Sequence, residues 1–254
     1  MDLIGVREIR AARTRDDLVF APGELPLGGG TWLFSEEQPE LTGLVDLTTL
    51  GWEPLTMTDS GLSIGATCTL AEFSRIPEHE GWTAHPLIWQ CVNSLLGSFK
   101  VWNVATVGGN ICMALPAGPM TSFAAAMDAT AQVWSPSGID RSIPVAALVE
   151  GVQRTALAPG EVVRSIDVPA EALESRTAFR RIALSPLGRT GTLVIGRLAP
   201  SGEATFTVTG GTERPHVLRF ESLPASAALA EAVDSIEDWY DDAHGKPDWR
   251  RAMS

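Results

Sequence analysis

Two glycine clusters are where this sequence could do chemistry. The first is Leu27-Gly28-Gly29-Gly30-Thr31-Trp32. Consecutive glycines permit positive φ and remove every Cβ, so neighbouring N–H groups can converge on an anion. A phosphate suits that geometry because its oxygens accept several hydrogen bonds at once. Three glycines in a row point to that use rather than to packing, and Thr31 adds a hydroxyl donor. A plain tight turn is the competing reading. The second cluster is Asn103-Val104-Ala105-Thr106-Val107-Gly108-Gly109-Asn110-Ile111. Here a β-branched run stops at two glycines. Asn110 tolerates left-handed backbone and offers both donor and acceptor. Neither cluster has the G-x-G-x-x-G spacing of a dinucleotide fingerprint or the lysine of a Walker loop. Two phosphate cradles about 75 residues apart fit a diphosphate gripped from two sides.

Other reactive residue types are scattered. Cys68, Cys91 and Cys112 form no C-x-x-C pair and no disulfide framework, so they read as buried reduced thiols of a cytoplasmic protein. His79, His85, His216 and His244 show no ligand spacing. Asp46 reads as a turn acceptor. No catalytic side chain and no metal ligand set is expected. Trp52, Trp82, Trp239 and Trp249 stand in polar contexts and are candidates for partner contacts. The net charge of −12, without a basic stripe, argues against nucleic acid or an anionic membrane. No apolar run is long enough to span a bilayer. The segment Met1 to Gly5 lacks the basic and apolar regions of a signal peptide.

Beta and helical signals alternate around the clusters. Leu25 to Leu27 and Leu44 to Leu47 read as strands, as does Gly61 to Ala66. Thr69 reads as the N-cap of a helix carrying Leu70, Phe73 and Ile76. Helices are expected over Leu87–Leu96 and Ser122–Ala131, and strands over 131–134, 143–145 and 161–168. Residues 169–178 read as a polar connection. Thr192–Leu198 and Ala204–Thr209 should pair around a turn. The last thirty or so residues read as helical and acidic.

The second cluster resembles the signature of the FAD-binding, or medium, subunit of molybdenum hydroxylases. That family includes the xanthine dehydrogenases and the medium subunits of carbon monoxide and nicotine dehydrogenases. Gly28 to Thr31 resembles its first FAD loop. Gly61 to Ala66 with Thr69-Leu70, Leu157 to Pro169, and Thr207 to Pro215 resemble later blocks in the same order. The resemblance implies an α+β fold: a two-part PCMH-type FAD-binding domain at 1–170 (subdomains about 1–50 and 51–170). A C-terminal α+β domain of the carbon monoxide dehydrogenase flavoprotein type follows at 176–254 and closes one side of the cofactor.

The same resemblance implies the site. Leu27, Gly28, Gly29, Gly30, Thr31 and Trp32 would hold FAD together with Ala105, Thr106, Gly108, Gly109 and Asn110. Cys112 and Val163 would lie near it, and Arg180 stands where the family often has a lysine close to the cofactor. It implies partners as well: a molybdopterin-binding large subunit and a 2Fe–2S small subunit. Electrons would pass from the clusters through FAD to NAD or another acceptor. There are departures. Leu115-Pro116-Ala117-Gly118-Pro119 stands in place of Ser-Pro-x-x-Asp, Trp102 in place of a frequent arginine, and Trp32 where a small or polar residue is common. Two alternatives remain open at this point. One is a scaffold subunit without flavin. The other is a flavoenzyme of the same clasp acting on an enol-ether sugar nucleotide, which needs a Ser or Tyr with a Glu; the one tyrosine, Tyr240, lies in the acidic end.

Overall fold

The computed structural model describes residues 3–254, so the start of the segment read as lacking a signal peptide lies outside them. Glu8–Ala11 (β1) and Glu24–Leu27 (β2) flank Gly43–Asp46 (β3) in a parallel sheet of order β1-β3-β2. A central parallel strand must bury both faces, and Gly43, Leu44 and Val45 are buried. Asp46 ends β3 as a turn acceptor: its Oδ1 accepts from Thr48 N at 2.9 Å and Thr48 Oγ1 at 2.7 Å. Leu27 ends β2 and delivers the chain directly into the first glycine cluster.

Leu55–Thr58 (β4), Gly61–Gly65 (β5), Thr130–Trp134 (β6) and Arg141–Pro144 (β7) belong to a second sheet. A small hairpin, Val149–Gly151 (β8) with Arg154–Thr155 (β9), precedes the strand that completes it, Val162–Pro169 (β10). The order is β4-β5-β10-β6-β7, so β10 lies at the centre, antiparallel to both neighbours. Its register slips between Val163 and Ser165, leaving Arg164 in a bulge. One extra residue re-aims the side chains around it. The extra residue lets Val163 and Ile166, three apart, share the main core, while Val162 alternates by the ordinary pleat into a smaller one with Ala12, Leu18, Val45 and Leu47.

Helices fill the span between β5 and β6. Leu70–Phe73 (α1) is a single turn opened by a capping box: Glu72 N donates to Thr69 Oγ1 at 3.1 Å, and Thr69 N donates to Glu72 at 2.8 Å. His85–Asn93 (α2) buries Leu87, Ile88, Cys91 and Val92. It stops short of Leu96 because Ser94 turns its hydroxyl onto the Cys91 carbonyl at 2.7 Å, a local bond that competes with helix continuation. Phe99–Trp102 (α3) and Val107–Cys112 (α4) follow. Pro119–Ala126 (α5) begins three residues before the alanine pattern that starts at Ser122. Pro119 occupies the first helical position, where its missing N–H costs nothing, and Asn110 Oδ1 accepts from Met120 N at 2.9 Å. Asp128, at φ 50°, ends the helical run before β6. Val145–Leu148 (α6) and Ala170–Glu174 (α7) are short connectors.

Residues 169–178 are not a loose connection: they form α7 and the start of Arg176–Ile182 (β11). Phe179 alternates inward and packs against the main core, which gives the segment a strand's reason to exist. With Thr192–Leu198 (β12), Ala204–Thr209 (β13) and His216–Phe220 (β14) it makes an antiparallel sheet in sequence order. The acidic end is helical only over Ser226–Asp234 (α8) and Pro247–Met253 (α9). Arg250 locks α9 in place. It is 1% exposed, pairs with Asp242, and donates to the carbonyls of Gly191, Gly210 and Gly245. Removing one partner of a buried pair costs about 3–5 kcal/mol. Arg250→Met should therefore lower the unfolding free energy by about 3 kcal/mol or more, read from a chemical denaturation curve.

Candidate cofactor site

Two cavities meet at the glycine loops. The larger has a volume of about 500 Å³, with walls of Leu25, Leu95, Val101, Met113, Leu157 and Val163 among others. The smaller, about 390 Å³, is more polar, with Thr48, Thr69, Glu72 and Asn103 beside Trp52. Gly28, Gly29, Thr67 and Thr106 line both, and so form the neck between them.

The first loop is held by contact as well as by conformation. A Cβ on Gly29 would lie 1.6 Å from the Val104 carbonyl oxygen, so the two loops touch main chain to main chain. The inference that the glycines serve no packing purpose is thus wrong for Gly29. Gly30 takes φ 68°, and its carbonyl accepts from Phe34 N at 2.9 Å. Among the described residues, no protein acceptor is bonded to the N–H groups from Gly28 through Leu33. Six consecutive donors without a protein acceptor, on residues that line a cavity, are available to a ligand there.

The second cluster behaves differently. Its glycines open α4 instead of ending a strand, with Thr106 as the N-cap whose hydroxyl accepts from Gly109 N at 3.1 Å. Val107 N donates to Cys68 O and Gly108 N to Ala66 O, so these donors are already committed to the fold. Gly108 is required by packing, since a Cβ there would lie 2.6 Å from that of Ala66. What the second loop offers is side-chain chemistry. The Thr106 hydroxyl proton is free to donate. Asn110 spends its oxygen on Met120 N and keeps its amide hydrogens.

Electrostatics at the site are mild. Glu161 is the charged residue lining the larger cavity, and it is neutralised by Arg141, whose Nε and terminal nitrogen donate at 2.9 and 2.7 Å. Arg141, with further help from Ala158 N, holds this carboxyl below the ordinary range. Glu72, in the smaller cavity, is engaged by Thr69. Among the described residues, no Lys or Arg lines either cavity. Cys112 lines the larger one, and burial pushes its thiol up to about 12, so it presents a protonated, weakly polar surface and not a nucleophile.

Every expected site residue from Leu27 to Trp32, with Ala105, Thr106, Gly108, Gly109, Asn110, Cys112 and Val163, lines the larger cavity. Arg180 does not: it is exposed on β11 and donates to the Phe179 carbonyl at 2.9 Å. Among the described residues, none beyond Val163 lines either cavity. Pro119 is buried at the start of α5. Trp102 packs edge-on against Trp89 at 5.7 Å. Thr67 at the neck had no sequence signal of its own, standing two residues before the Thr69 cap. Leu95 and Val101 could have been found as apolar residues flanking the second cluster.

Residues 11–171, more than half of the chain, match the family described as the FAD binding domain in molybdopterin dehydrogenase. The chain belongs to that family. A curated relative, xanthine dehydrogenase 1 of Arabidopsis thaliana, is 27% identical over 123 residues, covering 45% of this chain and 9% of that protein. Thus the chain corresponds to a small part of that relative's length. Among solved structures, quinoline 2-oxidoreductase from Pseudomonas putida 86 superposes with a TM-score of 0.83 at 20% identity, over 100% of this chain and 94% of the other. The Cu,Mo-CO dehydrogenase in its cyanide-inactivated form gives 0.84 at 19%, over 98% and 93%. At these identities the structures establish a shared fold.

The neck gives a direct test. Gly29→Ala should destabilise the protein by at least about 3 kcal/mol, since the loops must separate to admit the methyl. Gly51, at φ 64° with open space around it, is the control. Gly51→Ala should cost only about 1 kcal/mol of backbone strain. Denaturant midpoints compare the two, and equal losses would contradict the main-chain contact.

Proposed function

We propose that this chain is the FAD-binding, electron-transferring subunit of a multisubunit molybdenum hydroxylase. The observation that carries the reading is the run of six unspent N–H groups that starts at the neck with Gly28 and Gly29 and continues along the larger cavity to Leu33. A diphosphate there would take those donors, with the Thr106 hydroxyl and the Asn110 amide facing it across the neck. The two cavities on either side suit the two ends of an extended dinucleotide. Bound FAD supplies the redox chemistry that no side chain of this site can. The chain's own task is to bind, orient and shelter it: Val163, Leu157 and Leu115 exclude water, and the Cys112 thiol stays protonated beside it.

The rest of the assembly follows from family membership. A molybdopterin-binding large subunit and a 2Fe–2S small subunit would deliver electrons, with NAD or another acceptor receiving them. Residues 1–170 would form the FAD-binding unit, in parts 1–50 and 51–170, and 176–254 the C-terminal unit. The change from one sheet to the next between Pro169 and Arg176 supports that division. Three free cysteines fit a reducing compartment such as the cytoplasm. No helix among the described residues is long and apolar enough to cross a membrane.

The reading is tested by the purified chain. It should carry flavin absorption or take up added FAD. Because no cationic side chain lines the cavities and the chain is acidic, salt should not weaken the dianion's binding. Affinity should hold or rise as NaCl increases from about 50 to 500 mM, a range over which charge–charge attraction is screened. A colourless protein that takes up no FAD would contradict the proposal.

A further inference from the structure

We infer that Arg164 is a positioning residue for the cofactor clasp: at the seam between the first two sheets it joins Trp134 to Trp52, which stands in the segment leading out of the first sheet, and so fixes the width of the neck. The inference rests on the FAD-binding reading above. The first sheet carries the Gly28–Leu33 loop. The central sheet carries Ala66, Thr67, Val162 and Val163. The seam between them is a separate small core, in which Ala12, Leu18, Val45 and Leu47 meet Val162. Leu47 and Val162 also line the larger cavity, and Trp52 lines the smaller. Seam and cavities share walls, so opening one opens the other.

At the rim of the seam stands an alternating column of cations and rings. Arg15 Cζ lies 4.9 Å from the Trp134 centroid. Arg164 Cζ lies 5.6 Å from Trp134 and 4.7 Å from Trp52. The two indoles also meet edge to face at 5.4 Å. Arg15 is anchored by Asp140 and by the Ser135 carbonyl. Arg15 belongs to the part of the chain that bears the first sheet and Trp52 to the segment leading from it into β4, whereas Trp134 ends β6 and Arg164 is the bulged residue of β10. The Arg15–Trp134 contact crosses the seam, and the Arg164–Trp52 contact ties β10 to the segment that leaves the first sheet.

Arg164 has nothing else to do. Among the described residues no carboxylate lies within ion-pair distance of it, and its guanidinium makes no hydrogen bond. A planar, weakly hydrated cation gains from two ring faces what a lysine cannot, and the attraction grows as water is excluded. Arg164 stands at the bulge directly after Val162 and Val163, which alternate between the seam and the main core and both line the larger cavity. The brace and the wall thus lie on adjacent residues of one strand.

The test uses the full chain with Arg164→Met, Arg164→Lys and Arg15→Met, measuring FAD affinity by flavin fluorescence titration and the thermal midpoint without FAD. Arg164→Met should weaken FAD by about tenfold, the scale of one desolvated cation–π contact. Arg164→Lys should recover that loss only in part, because charge returns without the plane. Arg15→Met, at the outer and more exposed end, should shift affinity the same way by about two- to threefold, and it stands in should Arg164→Met fail to fold. An FAD affinity for these variants within about twofold of wild type, with only the cofactor-free midpoint lowered, would show a merely structural brace and overturn the inference. Wild-type protein that takes up no FAD would instead contradict the functional reading on which it rests.

Discussion

The main chain of Gly29 lies against the carbonyl of Val104 so closely that no side chain fits between them. Much of the site depends on this contact. It brings a loop from the first sheet onto the segment that leads into α4, and it forms the neck shared by the two cavities. Because the contact is made by backbone, it fixes position without filling the space beside it. That space stays open for a ligand, and the donors around it stay unspent. The constraint also explains why the glycines come in a run: Gly29 is needed for approach, Gly30 for a left-handed turn, and Gly28 for the Thr106 hydroxyl, which a Cβ would meet at 2.8 Å.

The two loops divide the work by secondary structure. A loop that leaves a parallel strand has no ladder for its N–H groups, so the first cluster keeps its donors free. A helix start caps its own donors, and in the second cluster Thr106, Cys68 and Ala66 take them. The second loop therefore acts through side chains and through its fixed position. Among the described residues the cavities are lined by no Lys or Arg and offer neutral donors, which are less sensitive to salt and to the acidic charge of the rest of the chain. Asn110 ties the loop to α5, so its side chain, on the wall of the larger cavity, is oriented by a hydrogen bond in the fold. Pro119, which stands where the family often has an acidic residue, serves that helix start.

Much of this was legible in the sequence. Glycine runs, the Thr69 cap with Glu72, and the strand patterns of β3, β5 and β10 are local signals, and local physics decides them. Other features depended on distant partners. The Val104 to Val107 run has strand propensity but sits at a helix start, because Thr106 caps it and Ala66 leaves no room for a side chain at Gly108. Residues 169–178 look polar, yet Phe179 finds the main core. Arg180 was placed near the cofactor by resemblance alone, and β11 turns it to solvent. The tryptophans in polar contexts pack within the chain: Trp82 stacks on His79 at 4.6 Å, and Trp239 donates to Ile236 O at 2.7 Å. Trp52 meets Trp134 edge to face at 5.4 Å, a partner that the sequence around Trp52 cannot show.

The central claim is that the first loop, and not the helix start, supplies the backbone donors for the cofactor's diphosphate. Amide hydrogen exchange, resolved by residue with and without FAD, tests it most directly. The account predicts new protection on FAD binding at Gly28 through Leu33, with Val107 and Gly108 already protected in the free protein and little changed. Protection that instead appeared at Val107 to Gly109, leaving Gly28 through Leu33 exchanging as before, would contradict it.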